Sequence, residues 1–280
     1  ENSMMSRNRY LPLIIANITA FVVTLALNVL SQSGGELGRS VFQLTAQEAG
    51  ESRAIFFLPA GYVFAIWGVI YFGLGAYLTW QARAVNREHR IHERIGIFFI
   101  LSCIGNVAWL FLFLNERVWE STIAMLVLLG ALLVIYLRLN IGRADVSRLE
   151  RWAVHVPFSI YLGWITVATV ANFSAALYVS GGVTGVLGIS ADVWAVIMMG
   201  IAAVLAAAAV VLRRDIAYAL VVVWALVGIF ARPFDVPPYE TMTALNAGLV
   251  DGAAVATAIA IVLVVVIGVL TGRRQRATAS

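Results

Sequence analysis

Residues 57–82 read FLPAGYVFAIWGVIYFGLGAYLTWQA, an apolar stretch somewhat longer than the roughly 20 residues that a helix needs to cross a bilayer. Pro59 and Gly61 act as breakers just ahead of the helix. Leu, Ile, Val and Ala would suffice for spanning, yet this stretch carries many aromatic rings, and buried Tyr and Trp need partners for their polar atoms. The stretch therefore indicates either interfacial and core packing or the lining of a site for a flat apolar ligand. Between residues 62 and 77 the rings are Tyr62, Phe64, Trp67, Tyr71, Phe72 and Tyr77.

The composition of the whole chain is that of an integral membrane protein. Of its 280 residues 61% are hydrophobic and only 12% are charged, whereas soluble domains are about half apolar and a quarter charged. Spanning segments of this kind must be helices, because lipid cannot satisfy an open backbone. The first apolar run is expected to span rather than to act as a secretory signal. Eight spanning helices are predicted, at about 11–30, 61–80, 95–114, 121–139, 152–177, 193–212, 216–231 and 245–270.

The arginines predict the orientation of these helices. All 19 basic residues are Arg, and the positive-inside rule places most of them on the cytoplasmic side. Both termini are therefore predicted to be cytoplasmic. The arginines assigned to the cytoplasmic side are Arg7, Arg9, Arg83, Arg87, Arg90, Arg94, Arg138, Arg143, Arg148, Arg151, Arg213, Arg214, Arg273, Arg274 and Arg276; those on the outer side are Arg39, Arg53, Arg117 and Arg232.

Three segments carry a shared motif. Trp67, Tyr71 and Gly75 repeat at four-residue spacing in the second segment, and so lie on one helix face. The third segment holds Asn106, Trp109 and Phe113, and the fifth holds Tyr161, Trp164, Ala168 and Asn172. In this order the chain resembles the TspO/MBR family, the tryptophan-rich sensory or translocator proteins, over roughly residues 10–178. Tyr62 stands where that family has a loop Trp, and Ile160 where it has a Pro.

The resemblance implies a five-helix membrane core at residues 1–178, extended by three further helices at 179–280. The TspO/MBR family binds porphyrins and sterol-like ligands in a pocket among these helices. A ligand site is accordingly expected, with possible occupants that include a non-covalent tetrapyrrole, a carotenoid or a lipid. The residues expected to line it are Tyr62, Phe64, Trp67, Tyr71, Asn106, Trp109, Tyr161, Trp164 and Asn172.

Other features have plainer interpretations. Asn106 and Asn172 fit interhelical hydrogen bonds as well as ligand contacts. Asp251 is read as a hydrated acid near the outer interface. No metal site and no catalytic constellation is predicted, and the basic loops suit anionic lipid rather than nucleic acid. Small residues predict close helix packing, within the chain or against another subunit: Gly75, Gly248, Gly252, Ala256 and Ala260.

Two functions remain open from the sequence. The first is a non-enzymatic membrane protein that binds an apolar planar ligand for sensing, carriage or regulation. The second is an accessory subunit of a larger membrane assembly, with a photosynthetic pigment–protein complex as the host that the resemblance suggests. In either case the expected surroundings are the bilayer of a bacterial inner membrane, an apolar ligand, and other membrane subunits or a second copy of the chain.

Overall fold

The computed structural model describes residues 9–33, 35–45, 48–49, 56–87, 89–181, 187–232 and 244–277, and the regular elements of this part of the chain are helical. The predicted all-α class is thereby confirmed. Of the arginines used for the orientation, Arg7 and Arg53 lie outside the described residues, as do the side chains of Arg273, Arg274 and Arg276. We number only the long helices, which are α1 (Leu11–Gln32), α2 (Ile66–Ala82), α3 (Phe98–Leu114), α4 (Val118–Arg138), α5 (Val156–Gly181), α6 (Ala191–Arg213), α7 (Ile216–Phe230) and α8 (Ala244–Ala277).

Six apolar helical stretches among the described residues are long enough to cross a bilayer. They cover Leu11–Gln32, Gly61–Ala82, Val118–Arg138, Arg148–Ser180, Ala191–Arg213 and Asn246–Thr271. The other two long helices, α3 and α7, have 17 and 15 residues and are shorter than the segments predicted there. An α-helix of 15 residues measures only about 22 Å.

Local backbone geometry sets where α3 and α7 begin. Gly96 has a φ of +50°, which ends the short helix Ile91–Ile95, and α3 begins only at Phe98. Arg214 adopts a left-handed φ of 56° and ends α6. Asp215 then caps α7, because its Oδ1 accepts a hydrogen bond from the Tyr218 amide at 3.2 Å. The α7 segment therefore begins at once after a two-residue turn.

The chain divides into two compact units. The first comprises residues 1–49 and 66–165, and the second comprises residues 50–65 and 166–280. The boundaries fall just before α2 and inside α5. The proposed division into a core at 1–178 and an extension at 179–280 stays a prediction.

In the first unit, α1 packs against α2 and α3, and α3 packs along α4. A Cβ at Gly105 would lie 3.1 Å from the backbone of Leu128, so glycine permits the close approach of α3 and α4. A π-helical segment at Arg151–His155 leads into α5 and packs against α2. Pro157 is the second residue after the π-helical segment and lies against Gly73 of α2.

The segment after α1 folds back onto the end of α3. A short helix at Glu36–Val41 is followed by Phe42 and Ala49, which are buried against Leu110 and Leu114 of α3. Arg39 donates to Glu48 at 2.5 Å. This hydrogen bond, together with those from the Thr45 amide and hydroxyl, lowers the pKa of Glu48 to about 2. Trp109 and Phe113 pack partly buried against the same cluster. The segment therefore covers one side of the aromatic residues of α3.

In the second unit, α6, α7 and α8 pack against one another. Tyr218 donates to Thr166 Oγ1 at 3.0 Å, which ties α7 to the second half of α5. Asn246 of α8 donates to Asp192 of α6 at 2.5 Å. These contacts satisfy polar side chains that lipid could not.

Hydrogen bonds to α7 hold the segment of residues 60–65, which leads into α2. The Ala60 amide donates to the Gly228 carbonyl at 2.9 Å, and Trp224 Nε1 donates to the Val63 carbonyl at 3.1 Å. A Cβ at Gly228 would lie 2.1 Å from Val63 Cγ2. Only glycine lets this segment lie so close to α7.

Candidate functional site

Trp67 of α2 is the centre of an aromatic cluster in the first unit. Its ring stacks on Tyr71 at 5.5 Å between centroids and on Trp109 of α3 at 6.4 Å. Edge contacts join it to Tyr161 at 6.1 Å and to Trp164 at 6.3 Å, both on α5. These distances lie in the range of favourable ring pairs. Three helices that are far apart in sequence thus bring their aromatic residues to one place.

Polar atoms lie beside the rings. Asn28 of α1 donates to Asn106 Oδ1 at 2.8 Å. The side-chain amide of Asn106 also faces the Tyr161 hydroxyl. Within the described residues, Asn106 Nδ2 donates no hydrogen bond of normal geometry. The Tyr71 hydroxyl is buried and has no hydrogen-bond partner among the residues that the structure describes. Buried polar groups are normally paired, so Tyr71 offers an unused donor at the edge of the cluster.

The cluster has a buried back and a partly open front. Tyr161 and Trp164 are 3% and 2% exposed, whereas Trp67, Tyr71 and Trp109 are only half-buried. The rings of Trp67 and Trp109 are 24° from parallel, and their centroids are 6.4 Å apart. Stacked carbon atoms prefer about 3.5 Å, so a ring inserted between the two would need a separation of roughly 7 Å. No ring fits between these two, so a flat molecule would lie against the exposed parts of the half-buried rings, and it would reach the buried Tyr71 hydroxyl only after a side chain moves.

The sequence profile of the family described as TSPO-like protein matches residues 14–271. The chain belongs to the TSPO-like family. No curated protein and no solved structure matches the chain.

Membership in the TSPO-like family confirms the predicted family and the predicted integral membrane location. The match continues past residue 178, where the resemblance based on the motifs ends, and it includes α6, α7 and most of α8. TSPO-like proteins bind apolar ligands. The three C-terminal helices are therefore inside the region that this TSPO-like protein shares with its family.

Three of the predicted ligand residues lie outside the aromatic cluster. Tyr62 and Phe64 belong to the second unit, in the 3₁₀ turn Gly61–Ala65, and are 49% and 39% exposed. The ring of Tyr62 contacts Trp224 of α7 at 5.5 Å. Asn172 is buried in the part of α5 that belongs to the second unit. The other six predicted residues, all in the first unit, are Trp67, Tyr71, Asn106, Trp109, Tyr161 and Trp164.

The three glycines predicted for helix packing make no close contact among the residues that the structure describes, and their packing against another subunit stays a prediction. A Cβ at Gly75, Gly248 or Gly252 would meet nothing within 4 Å. The close approach on α2 falls two residues earlier, at Gly73, where a Cβ would lie 3.0 Å from Pro157 Cβ. On α8 the four predicted small residues are exposed, namely Gly248, Gly252, Ala256 and Ala260. Its buried side includes Val250, Ala254 and Ile261.

Sequence reasoning missed the contribution of α1 to the site. Phe21 contacts the Tyr71 ring at 6.2 Å, and Asn28 holds Asn106. A signal for this was present, because Asn17, Thr24 and Asn28 are polar residues on one face of an otherwise apolar helix. Trp224 was also missed, since nothing in its own segment indicates that it contacts Tyr62.

Proposed function

We propose that this TSPO-like protein binds a planar, apolar ligand against the Trp67 cluster and catalyses no reaction on it. A tetrapyrrole, a carotenoid or a sterol-like lipid has the required flat apolar body. The observation that carries the proposal is the convergence of Trp67 with rings from three helices. Beside them lies the Tyr71 hydroxyl, which has no hydrogen-bond partner among the described residues. Its role would be sensing, carriage or regulation.

The half-buried rings supply the binding surface in this proposal. The ligand lies on Trp67 and Trp109, while Tyr161 and Trp164 support these rings from behind. The Tyr71 hydroxyl donates to an acceptor, such as a carbonyl or carboxylate oxygen, on the ligand edge. Tyr62, Phe64 and Asn172 remain candidates for further ligand contacts, but the cluster does not depend on them.

The membrane arrangement that accompanies the proposal has eight spanning helices. Counting α3 and α7 as spans puts both termini on the same side of the membrane, and the distribution of arginines makes the cytoplasm the expected side. A helix of 17 residues is at the lower limit for spanning, so α3 and α7 would cross where neighbouring helices cover their ends. The proposed location is the inner membrane of a bacterium.

Purification in a mild detergent from native membranes tests the proposed function. One peak is analysed by absorption spectroscopy and by mass analysis of the extracted small molecules. We expect a small particle that carries an apolar planar molecule. A particle of the same size that carries none, after extraction under conditions that retain lipid, would contradict the proposal.

An accessory role in a larger membrane complex, such as a pigment–protein assembly, is the second candidate. The observation that favours it is the exposed set of small residues on α8, since such residues allow close helix contact in membranes. A large peak containing other membrane subunits would support this role. A second copy of the chain is the other partner that this surface would accept.

Bulky substitutions on α8 separate the two roles. In the accessory role, Gly252→Leu and Ala256→Leu are expected to release the protein from its assembly, as a shift to a smaller particle in size-exclusion chromatography. Val204→Leu is the control, because Val204 is exposed on α6. An unchanged large particle with all three variants would exclude α8 as the docking surface.

A further inference from the structure

A second group of buried polar side chains lies between α1 and α2. Asn17 of α1 is 1% exposed, and Tyr77 and Gln81 of α2 are completely buried. Asn17 Nδ2 donates to the Tyr77 hydroxyl at 3.4 Å and to Gln81 Oε1 at 3.3 Å. Tyr77 and Gln81 are one helical turn apart and so face α1 together. Both hydrogen bonds are long compared with the usual 2.9–3.0 Å.

The group leaves one acceptor and one donor without partners. Asn17 Oδ1 and Gln81 Nε2 are both buried, and neither forms a hydrogen bond within the described residues. Exchanging the oxygen and nitrogen positions of both carboxamides gives the same result, because one amide oxygen and one amide nitrogen again remain unused. The deficit therefore does not depend on how the amides are oriented.

The surroundings of the group are apolar. Phe99 and Phe158 contact the Tyr77 ring at 5.4 and 5.1 Å. Its three members are neutral, so they offer nothing that would hold an ion in preference to a neutral molecule. Lipid cannot hydrogen-bond to the unused atoms either. The complement of this group is a small neutral molecule that donates and accepts through a single atom.

We propose that one internal water molecule occupies a site formed by Asn17, Tyr77 and Gln81. The water donates to Asn17 Oδ1 and accepts from Gln81 Nε2. The Tyr77 hydroxyl accepts from Asn17 and keeps its own proton, which it donates to the water. Three hydrogen bonds are typical of a buried water in a protein. The water thereby connects the second turn of α1 to the last turn of α2.

This site is separate from the Trp67 cluster. Asn17 and Asn28 are eleven residues apart on α1, which corresponds to about 16 Å along a helix, and Phe21 lies between them. The inference therefore does not depend on the proposed ligand. The Asn17 group can hold water when the ligand site is empty, and it can be dry when the ligand site is occupied.

Nuclear magnetic resonance of the full chain in lipid nanodiscs tests the water site directly. Side-chain amides are labelled with nitrogen-15, and the signals of Asn17 and Gln81 are assigned with the variants Asn17→Leu and Gln81→Met. We expect magnetisation transfer from water to the amide protons of Gln81 or Asn17, together with slow exchange of these protons in deuterated water. Gln43, in the outer segment, is the control, with transfer and rapid exchange.

The opposite result is equally clear. If neither Asn17 nor Gln81 receives magnetisation from water while Gln43 does, the site is dry and the proposal is wrong. A density map that resolves ordered water provides a second measurement should the assigning variants fail to fold. We expect a peak within about 3 Å of both Asn17 Oδ1 and Gln81 Nε2, and empty density there would overturn the inference.

Discussion

Replacing Trp67 with leucine is expected to weaken binding of a planar apolar ligand by about 10- to 100-fold. Leucine keeps an apolar side chain in the helix but removes the ring face. An aromatic pair contributes about 0.5–1.5 kcal/mol beyond its buried area, and the smaller side chain also buries less apolar surface. The combined loss of about 1.4–2.8 kcal/mol corresponds to this change in Kd. The measurement is a titration with a free-base tetrapyrrole, followed by absorbance of the ligand.

The matched control for this prediction is Trp152→Leu. Trp152 is 63% exposed and lies in the same unit, so the same chemical change is made away from the cluster. Its Kd for the tetrapyrrole is expected to equal that of the unchanged protein. Circular dichroism of both variants checks that the helices are retained. Equal affinities for folded Trp67→Leu and Trp152→Leu would remove the Trp67 cluster from the ligand site.

The centre of the candidate site could be predicted because the spacing of residues in the sequence determines which of them share a helix face. Residues four apart lie on one helix face, so Trp67 and Tyr71 were expected to act together, and the structure stacks them at 5.5 Å. The convergence of Trp109 and Trp164 on Trp67 is a property of tertiary packing. It could be anticipated only through the motifs shared with a known family.

Tyr62 and Phe64 lie where helical spacing no longer applies, and their part in ligand binding stays a prediction. The apolar pattern predicts a helix at about 61–80, but residues Gly61–Ala65 form a 3₁₀ turn before α2 begins at Ile66. A 3₁₀ turn has about three residues per turn instead of 3.6, so the faces assigned by helical spacing do not extend into it. Tyr62 instead contacts Trp224, a partner that no local pattern indicates.

The glycines of α2 give a second example. Gly73 and Gly75 are both small residues in an aromatic helix, and the four-residue spacing from Trp67 and Tyr71 favoured Gly75. Close helix packing requires the glycine that faces another helix, and that glycine is Gly73, which lies against Pro157. Which of two glycines meets a neighbour depends on the position of α5, which the sequence of α2 does not contain.

The substitution Gly228→Ala is expected to destabilise the protein by about 1–2 kcal/mol, the overpacking cost less the gain in helix propensity. The new Cβ would lie 2.1 Å from Val63 Cγ2 and 3.0 Å from Pro59 Cβ. Val63 is fully buried, and its β-branched side chain has little rotamer freedom with which to move away. Overpacking of this kind typically costs 1–3 kcal/mol, which outweighs the gain of up to about 1 kcal/mol in helix propensity from replacing glycine by alanine.

Two further variants make this result specific. Gly200→Ala in α6 is the matched control, because a Cβ there meets nothing within 4 Å, and it is expected to leave the melting temperature in detergent unchanged or slightly raised. Val63→Ala removes the atom that collides with the new Cβ, so combining it with Gly228→Ala should recover part of the lost stability. This coupling is measured as a double-mutant cycle. Strict additivity of Val63→Ala and Gly228→Ala would mean that α7 does not hold the segment that enters α2 through this contact.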